Sequence, residues 1–345
     1  MNSPNTVTVP LAMASGDNPV SSNKPAADVP RKYIVSHAPF WHNGSAVPER
    51  YYNTLFAALP AALMGIVYYG VPALAVISLS VATAIIWELL INLATKRSVS
   101  VADGHAALTG LLLAMLLPAT VPWWFVVTGT LLAIVIGKQI FGGIGANPFN
   151  PAALACAILM VSWPLYFDFD ARLVNYEFNF PTLFPLVAVK AFGPAAEQNY
   201  AALDLFLGRQ VGGLGATCGL ALILGGIYLA FRGFMRWEVP VSFMLGIFIT
   251  AALFHAADPS RYAGPLFHLL TGYTLIGAIF LATDDSSSPV NMVPMLMYGA
   301  LGGILTMLIR NIGIYPDGTI LAILLINLIN PLIDKIRPKA IGKVA

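Results

Sequence analysis

Apolar residues run through this chain in long stretches that are separated by short polar or proline-rich breaks. Stretches of about 18 or more apolar residues are typical of helices that cross a membrane. The pattern predicts an all-α polytopic membrane protein with about ten transmembrane helices, at about 53–69, 71–94, 105–119, 121–140, 149–164, 214–231, 238–257, 263–283, 290–309 and 317–334.

Composition agrees with that class. The 345 residues are 58% hydrophobic and only 10% charged, and the mean hydropathy is +0.76. Residues 1–32 are rich in Ser, Asn, Pro and Ala and lack the apolar core of a signal peptide, so we expect a disordered tail. Residues 338–345 are expected to form a second, cytoplasmic tail. Membrane lipid is an expected partner, and nucleic acid is not.

Lysine and arginine follow the second, fourth, sixth and tenth apolar stretches. Short loops rich in these residues tend to stay in the cytoplasm. The arrangement therefore predicts a multi-pass membrane protein with both termini in the cytoplasm and the long connection 165–210 outside. The residues that carry this prediction are Lys96, Arg97, Lys138, Arg232, Arg236, Lys335, Arg337, Lys339 and Lys343.

The two halves of the chain share faint motifs. His105 opens the third stretch as HAALTG, and His268 begins HLLTG in the eighth. The fifth and tenth stretches each open with a proline-containing turn, so the offset is five spans and the second half is inverted. Inverted repeats place their binding sites between the halves, near broken helices. We expect a first repeat at 33–164, an extracytoplasmic loop at 165–210 and a second repeat at 211–337.

A glycine-rich stretch, GKQIFGGIGANPFNP at 137–151, interrupts the chain between the fourth and fifth apolar stretches. Glycine permits positive φ and close approach of the backbone to a ligand, and asparagine offers donors and an acceptor without charge. Polar backbone at this depth needs protein, water or ligand partners. We expect a helix-breaking loop that lines a site, with Gly142, Gly143, Gly145, Asn147 and Asn150 as its candidate residues.

Acidic residues supply further candidates. Glu88 lies inside the second apolar stretch, where a charge is costly and often functional; it either serves an ion path or reaches the nearby interface. Asp334 ends the tenth stretch and is a second candidate for ion coupling. Asp284 stands in the loop TDDSSSP at 283–289, which offers either a cation or polar-ring site or a solvated turn. Cys156 and Cys218 are too few to hold an iron–sulfur cluster within this chain. No metal ligands and no catalytic residue are predicted.

Six motifs taken together resemble one family, which holds the D subunit of Rnf electron-transport complexes and the B subunit of the sodium-pumping NADH:quinone reductase. The resemblance runs from about 33 to 337. The motifs are DGHAALTGLLLA at 103–114, LPATVPWW at 117–124, GKQIFGGIGANPFNPA at 137–152, LDLFLG at 203–208, ATDDSSSP at 282–289 and YPDGTILAILL at 315–325.

The resemblance implies a urea-transporter-like fold with ten spans in two inverted five-helix repeats. It implies a subunit that carries electrons and is not catalytic alone, within a translocase that pumps Na⁺ or H⁺ and contains Rnf subunits A, B, C, E and G. Family members carry flavin mononucleotide (FMN) joined by a phosphoester to a threonine in a Ser/Thr-Gly/Ser-Ala-Thr motif. Some also hold a second, non-covalent flavin.

This sequence departs from the attachment motif. Thr182 stands at the corresponding place without the flanking residues, and Thr217 has a Gly-Ala-Thr tripeptide at a later place. Three possibilities therefore stay open. FMN is bound covalently to one of the two threonines, FMN or riboflavin is bound without a covalent bond between the glycine loop and Asp284, or the chain binds no flavin. Two other functions also stay open at this point, a urea-channel-like solute transporter and a cofactor-free scaffold subunit.

Overall fold

A computed structural model of the chain describes residues 46–97, 99–173 and 176–336. The predicted tails 1–32 and 338–345 lie outside these residues. Within the described part all regular structure is helical, as predicted. The α-helices are α1 (Val47–Tyr69), α2 (Val71–Ala94), α3 (His105–Leu116), α4 (Trp123–Leu131), α5 (Pro151–Ser162), α6 (Phe169–Arg172), α7 (Pro185–Phe192), α8 (Ala202–Leu207), α9 (Gly219–Phe231), α10 (Glu238–Ala257), α11 (Pro265–Leu270), α12 (Thr274–Ile276), α13 (Met292–Ile312) and α14 (Thr319–Ile333).

Four of these helices, α1, α2, α10 and α13, are long and apolar enough to cross a membrane by themselves. The other apolar helices are shorter, with 10–17 residues each: α3, α4 with its continuation, α5, α9 and α14. The structure thus confirms the class of an all-helical membrane protein, while the count of ten crossings remains a prediction.

The eighth apolar stretch is broken in the structure rather than continuous. α11 ends at Leu270, α12 begins at Thr274, and a π-helical segment follows at Gly277–Leu281. Gly272 at the break has φ 66°, and a side chain there would collide with the Asp317 carboxylate. A residue with a Cβ would be strained at this φ, so this position favours glycine.

The fourth stretch also departs from a regular helix. α4 changes into a π-helical segment at Leu132–Gln139, and such segments are rare and frequently lie at functional sites. The glycine loop follows, and α5 then begins at Pro151. Asn150 caps α5 because its side chain accepts a hydrogen bond from the backbone N–H of Ala153 at 3.1 Å. Proline at the first helical position completes this start.

Small residues bring α10 and α13 close together. A Cβ added at Gly303 would lie 2.6 Å from the Ile247 backbone nitrogen and would also meet the Phe243 carbonyl oxygen. Helix pairs in membranes use such small residues because packing, not water exclusion, holds them together.

The two ends of α1 define two faces of the molecule. At its start, Arg50 donates to the Phe234 carbonyl at 2.8 Å and forms an ion pair with Asp285. At its end, the backbone carbonyl of Tyr69 accepts a hydrogen bond from the Tyr176 hydroxyl at 3.1 Å. We call these the Arg50 face and the Tyr69 face. A helix of 23 residues places them about 35 Å apart.

Candidate functional site

The glycine loop and the Asp284 loop meet on the Arg50 face. The Asn147 side chain donates to Asp284 Oδ2 at 3.2 Å, across 137 residues of sequence, and also to the Phe149 carbonyl at 2.9 Å. Asn150 donates to the Leu281 carbonyl at 3.2 Å. Ser286 and Ser287 each donate to Asp284 Oδ2 at 2.9 Å. The two loops therefore form one polar cluster.

This cluster leaves one oxygen without a partner. Asn147 is only 1% exposed, and its Oδ1 atom is buried without a hydrogen bond within the described residues. A buried unpaired acceptor is costly and calls for a donor from water, an ion or a ligand. Beside it, Gly142, Gly143 and Gly145 have φ of 117°, 108° and 81°, and a Cβ at Gly143 or Gly145 would meet no atom within 4 Å. The loop is thus open next to an unsatisfied acceptor.

A small cavity of about 50 Å³ lies behind the cluster. It has room for one or two water molecules. Arg50, His105, Asn150, Asp284 and Asp285 are among its lining residues. Burial raises the pKa of Asp285 to about 6, Arg50 opposes this rise, and Asp284 adds to it. A cavity of this size is too small for a flavin ring.

Glu88 does not reach the interface but forms a buried ion pair. Lys138 Nζ donates to its two carboxylate oxygens at 2.7 and 2.9 Å, and the two side chains are 1% and 0% exposed. Ser100 also donates to Glu88 Oε1 at 2.5 Å and accepts a hydrogen bond from Asn92 at 3.0 Å. The sequence analysis used Lys138 only as one of the cations that mark the cytoplasmic side, whereas the structure buries it in an ion pair at the end of the π-helical segment.

A second buried ion pair lies near the Tyr69 face, and the sequence analysis missed it. Arg310 contacts Asp317 Oδ1 at 3.0 Å, with side chains 1% and 6% exposed. Arg310 also donates to the carbonyls of His268 and Thr271 at the break between α11 and α12. The available signal was an arginine directly after the ninth apolar stretch, seven residues before an Asp-Gly turn.

Asp334 lies beside the Asp284 loop. Its Oδ1 accepts a hydrogen bond from the Val290 backbone N–H at 3.5 Å, and nearby Asn330 donates to the Ser287 carbonyl at 3.0 Å. These contacts place Asp334 on the Arg50 face.

The two candidate attachment threonines lie on the Tyr69 face and differ in access. Thr182 is exposed and lines an open cavity together with Phe192 and Tyr200. Thr217 is 5% exposed, and its methyl group lies against Gly212, whose carbonyl accepts from the Tyr69 hydroxyl. The structure therefore separates the candidates into an Asn147–Asp284 cluster on one face and the threonines on the other.

The fold and these sites define a polytopic helical membrane protein with interrupted helices, buried ion pairs and a polar loop cluster. The sequence model of the NQR2, RnfD, RnfE family matches residues 34–342. The chain belongs to this family, which confirms the resemblance.

Several relatives cover most of the chain. It is 33% identical over 346 residues to the D subunit of the ion-translocating oxidoreductase complex of Pectobacterium carotovorum, a match that spans 90% of this chain and 99% of that protein. It is 37% identical over 285 residues to the D subunit of the Na(+)-translocating ferredoxin:NAD(+) oxidoreductase complex of Acetobacterium woodii (82% and 86%). It is 34% identical over 310 residues to the proton-translocating counterpart of Clostridium ljungdahlii (88% and 94%).

Proposed function

We propose that this chain is the D subunit of an Rnf-type ion-translocating oxidoreductase, which passes electrons through a flavin in or near it and couples this to Na⁺ or H⁺ transport. The observation that carries the proposal is the match to three D subunits of such complexes over 82–90% of this chain. In this role it is part of a translocase, is not catalytic alone, and has Rnf subunits A, B, C, E and G as partners.

The proposal includes ten spans in two inverted repeats on a urea-transporter-like fold. Two features support it. Helices in corresponding places of the two halves pack on each other, α1 on α9 and α5 on α14. Lys138 and Arg310 each stand near the end of the fourth span of their half and are buried in an ion pair. The repeats are proposed at 33–164 and 211–337, with the loop 165–210 between them.

The proposed orientation places the Arg50 face in the cytoplasm of a bacterial cell, with the chain in the inner membrane and both termini inside. The support is the lysine and arginine content of the helix ends on that face. These residues are Arg50, Lys96, Arg97, Arg232, Arg236 and Lys335.

The Asn147–Asp284 cluster fits the polar edge of a flavin held without a covalent bond. Asn147 Oδ1 is a buried acceptor without a partner among the described residues, and the ring N–H of a flavin is a donor that would satisfy it. The open backbone at Gly143 and Gly145 admits a flat ring close to the loop. A bound FMN or riboflavin would supply the electron acceptance and release, while these residues would bind and orient it.

For covalent FMN, the access of the side chains favours Thr182 over Thr217. Formation of a phosphoester requires that the threonine hydroxyl be reached by a flavin-bearing enzyme or substrate. Thr182 is exposed on the loop before α7, whereas Thr217 is packed against Gly212. We therefore propose Thr182 as the attachment residue if FMN is joined to this chain.

Glu88 and Asp334 are the proposed coupling residues. Glu88 is a fully buried carboxylate whose bonded partners, Lys138 and Ser100, both donate hydrogen bonds to it. A proton or cation that competes with Lys138 for this carboxylate would change the local charge. Asp334 lies next to the Asp284 loop, where a cation would reach the proposed flavin site.

The test is a flavin assay on the chain purified within its complex. A covalent bond to Thr182 would be established if the denatured chain shows flavin fluorescence in a gel. This fluorescence should disappear in Thr182→Ala and persist in Thr217→Ala. Flavin released by acid, and lost in Asn147→Leu but retained in the control Asn179→Leu at an exposed position, would establish the non-covalent site. A complex that contains no flavin in this chain, yet transfers electrons and pumps cations, would overturn the electron-carrying role.

The coupling proposal needs its own measurement. In vesicles that contain the complex, Glu88→Asp should reduce the rate of cation transport by a larger factor than it reduces the rate of electron transfer. An equal loss of both would indicate damage to the fold and would contradict a coupling role.

A further inference from the structure

A cavity of about 450 Å³ on the Tyr69 face has a cationic lining that the proposed function does not use. Three elements enclose it: α7, the connection between α10 and α11, and the end of α13. Lys190, Arg261 and Arg310 are among its lining residues, and none of the described residues that line it is acidic. Its volume lies within the range of about 300–1,000 Å³ that is typical of ligand pockets.

Two of these three cations have no carboxylate partner. Asp317 pairs with Arg310, but within the described part of the chain Lys190 and Arg261 form no ion pair. Lys190 Nζ instead donates to the backbone carbonyls of Gly313, Ile314 and Tyr315 at 2.6–3.0 Å and lies 3.5 Å from the Arg310 carbonyl oxygen. These contacts occupy its N–H groups and fix its positive charge at the cavity.

The carboxylate nearest to Arg261 in the sequence is already engaged elsewhere. Asp258, at the end of α10, accepts hydrogen bonds from the Ser260 hydroxyl at 2.5 Å and from the Ser260 backbone N–H at 3.1 Å. Asp258 does not line the cavity. The Ser260 hydrogen bond chiefly lowers the pKa of Asp258, and the charge of Arg261 adds to this effect. The guanidinium carbon of Arg261 lies 5.5 Å from the centre of the Tyr262 ring. Because Arg261 forms no ion pair within the described residues, its N–H groups remain available to an anion that enters.

The cavity is also lined by residues with buried polar atoms that have no partner. His268 is 3% exposed, and neither of its ring nitrogens is hydrogen-bonded within the described residues. Asn311 Nδ2 at the end of α13 is a second such group, and it can only donate. Water would satisfy these atoms, but it would not neutralise Lys190 and Arg261.

The neighbouring cavity on the same face has the opposite character. It measures about 310 Å³ and is lined by Asp168, Asp170 and Asp317 together with aromatic side chains, and no lysine or arginine is among the described residues that line it. An anion entering this face would therefore be attracted to only one of the two cavities.

We infer that the cavity between Lys190, Arg261, His268 and Asn311 binds a phosphate-bearing anion. Arg261 and Lys190 supply the charge, and the His268 ring and the Asn311 amide supply directed hydrogen bonds. The Arg261 guanidinium can form strong charge-assisted hydrogen bonds to phosphate oxygens, whereas Lys190 contributes its charge, because its N–H groups are bonded to carbonyls. The phosphate belongs either to an anionic lipid headgroup, because the cavity lies at the ends of spanning helices, or to a soluble phosphate compound.

The source is decided by two measurements on the full-length purified chain. Equilibrium dialysis with radiolabelled inorganic phosphate tests the soluble source. Native mass spectrometry with added phosphatidylglycerol and phosphatidylcholine tests the lipid source, since only the first headgroup has a net negative charge. Binding of inorganic phosphate supports a soluble ligand, and retention of phosphatidylglycerol over phosphatidylcholine supports the headgroup.

Variants test the residues. Arg261→Gln removes an exposed charge without opening the core, and Asn311→Asp adds a repelling charge with little change of shape. Each should weaken binding at least about tenfold. The matched control is Arg209→Gln, because Arg209 lies on the same face, outside the cavity, and already pairs with Asp204 at 3.1 Å. Binding of neither probe by the wild-type chain, unchanged binding in both cavity variants, or an equal loss in the control would each overturn the inference.

Discussion

Lys138 Nζ lies 2.7 and 2.9 Å from the two carboxylate oxygens of Glu88, and both side chains are shielded from solvent. The two residues are 50 positions apart, on α2 and on the π-helical segment that leads to the glycine loop. Because an isolated charge is costly in hydrocarbon, each charge lowers the free-energy cost of burying the other. The pair thus ties the second span to the backbone that leads to the candidate flavin site.

Breaking this pair should be strongly destabilising. Glu88→Gln leaves the Lys138 ammonium buried without a counter-charge, and we expect a loss of about 3–5 kcal/mol in the free energy of unfolding. The double variant Glu88→Gln/Lys138→Met removes both charges and should recover most of that loss. Thermal unfolding in detergent measures the series.

The control for this series is Asp204→Asn, which breaks the exposed pair with Arg209. The side chains of that pair are 56% and 44% exposed, so the expected cost is at most about 1 kcal/mol. If Glu88→Gln costs no more than Asp204→Asn, the buried pair does not support the fold in the way described.

Arg310 should not tolerate replacement by lysine. Its guanidinium donates to Asp317 and to the backbone carbonyls of His268 and Thr271 at 2.8–3.3 Å. A lysine ammonium lacks the planar fork that reaches these acceptors together. We expect Arg310→Lys to reduce the free energy of unfolding by about 3 kcal/mol, measured by thermal or denaturant unfolding.

The matched change for this prediction is Arg232→Lys, at an exposed pair with Glu49. That replacement keeps the charge in water and should cost less than about 1 kcal/mol. Equal effects of the two substitutions would show that the Arg310 network adds no stability beyond a surface pair.

The Asp285 carboxyl predicts a pH dependence of stability. Its pKa rises from 3.8 to about 6 on folding, chiefly through burial. The folded chain therefore holds this proton at pH values where the unfolded chain has released it. The resulting stabilisation is complete below about pH 4 and is lost as the pH rises through 6.

Asp285→Asn keeps the position neutral at every pH and serves as the reference for this effect. The thermal midpoint of the wild-type chain should fall relative to that of Asp285→Asn as the pH increases from about 4.5 to about 7. Thermal unfolding at several pH values measures the difference. A difference that stays constant, or that changes in the opposite direction, contradicts the raised pKa.

The α10–α13 contact should depend on the absence of a side chain at Gly303. Its added Cβ would meet the Phe243 carbonyl oxygen and would lie 2.6 Å from the Ile247 backbone nitrogen. Backbone atoms cannot rotate away, so Gly303→Val should cost about 1–3 kcal/mol or more. Ala82→Val places the same valine side chain at an exposed position of α2 and should leave the thermal midpoint nearly unchanged. Equal midpoints for the two variants would refute the close contact.

The family and the helical membrane class were accessible from the sequence because they depend on local order along the chain. Apolar stretches predict helices wherever a membrane supplies the apolar surroundings, and the DGHAALTG and NPFNP motifs are contiguous. Even so, the eighth stretch looked like one helix, because its break depends on the Asp317 carboxylate that occupies the space beside Gly272. Asp317 belongs to another element, so the residues of the eighth stretch do not by themselves predict this contact.

By itself the sequence thus determined which segments are apolar, which loops are rich in glycine and proline, and to which family the chain belongs. The tertiary structure alone decided that Lys138 is the partner of Glu88 and that Asn147 and Asp284 are the residues that join the two loops. The physical reason is that burial and charge pairing depend on distances in space. Such distances arise only when helices far apart in sequence pack side by side, and no periodicity along one helix encodes them.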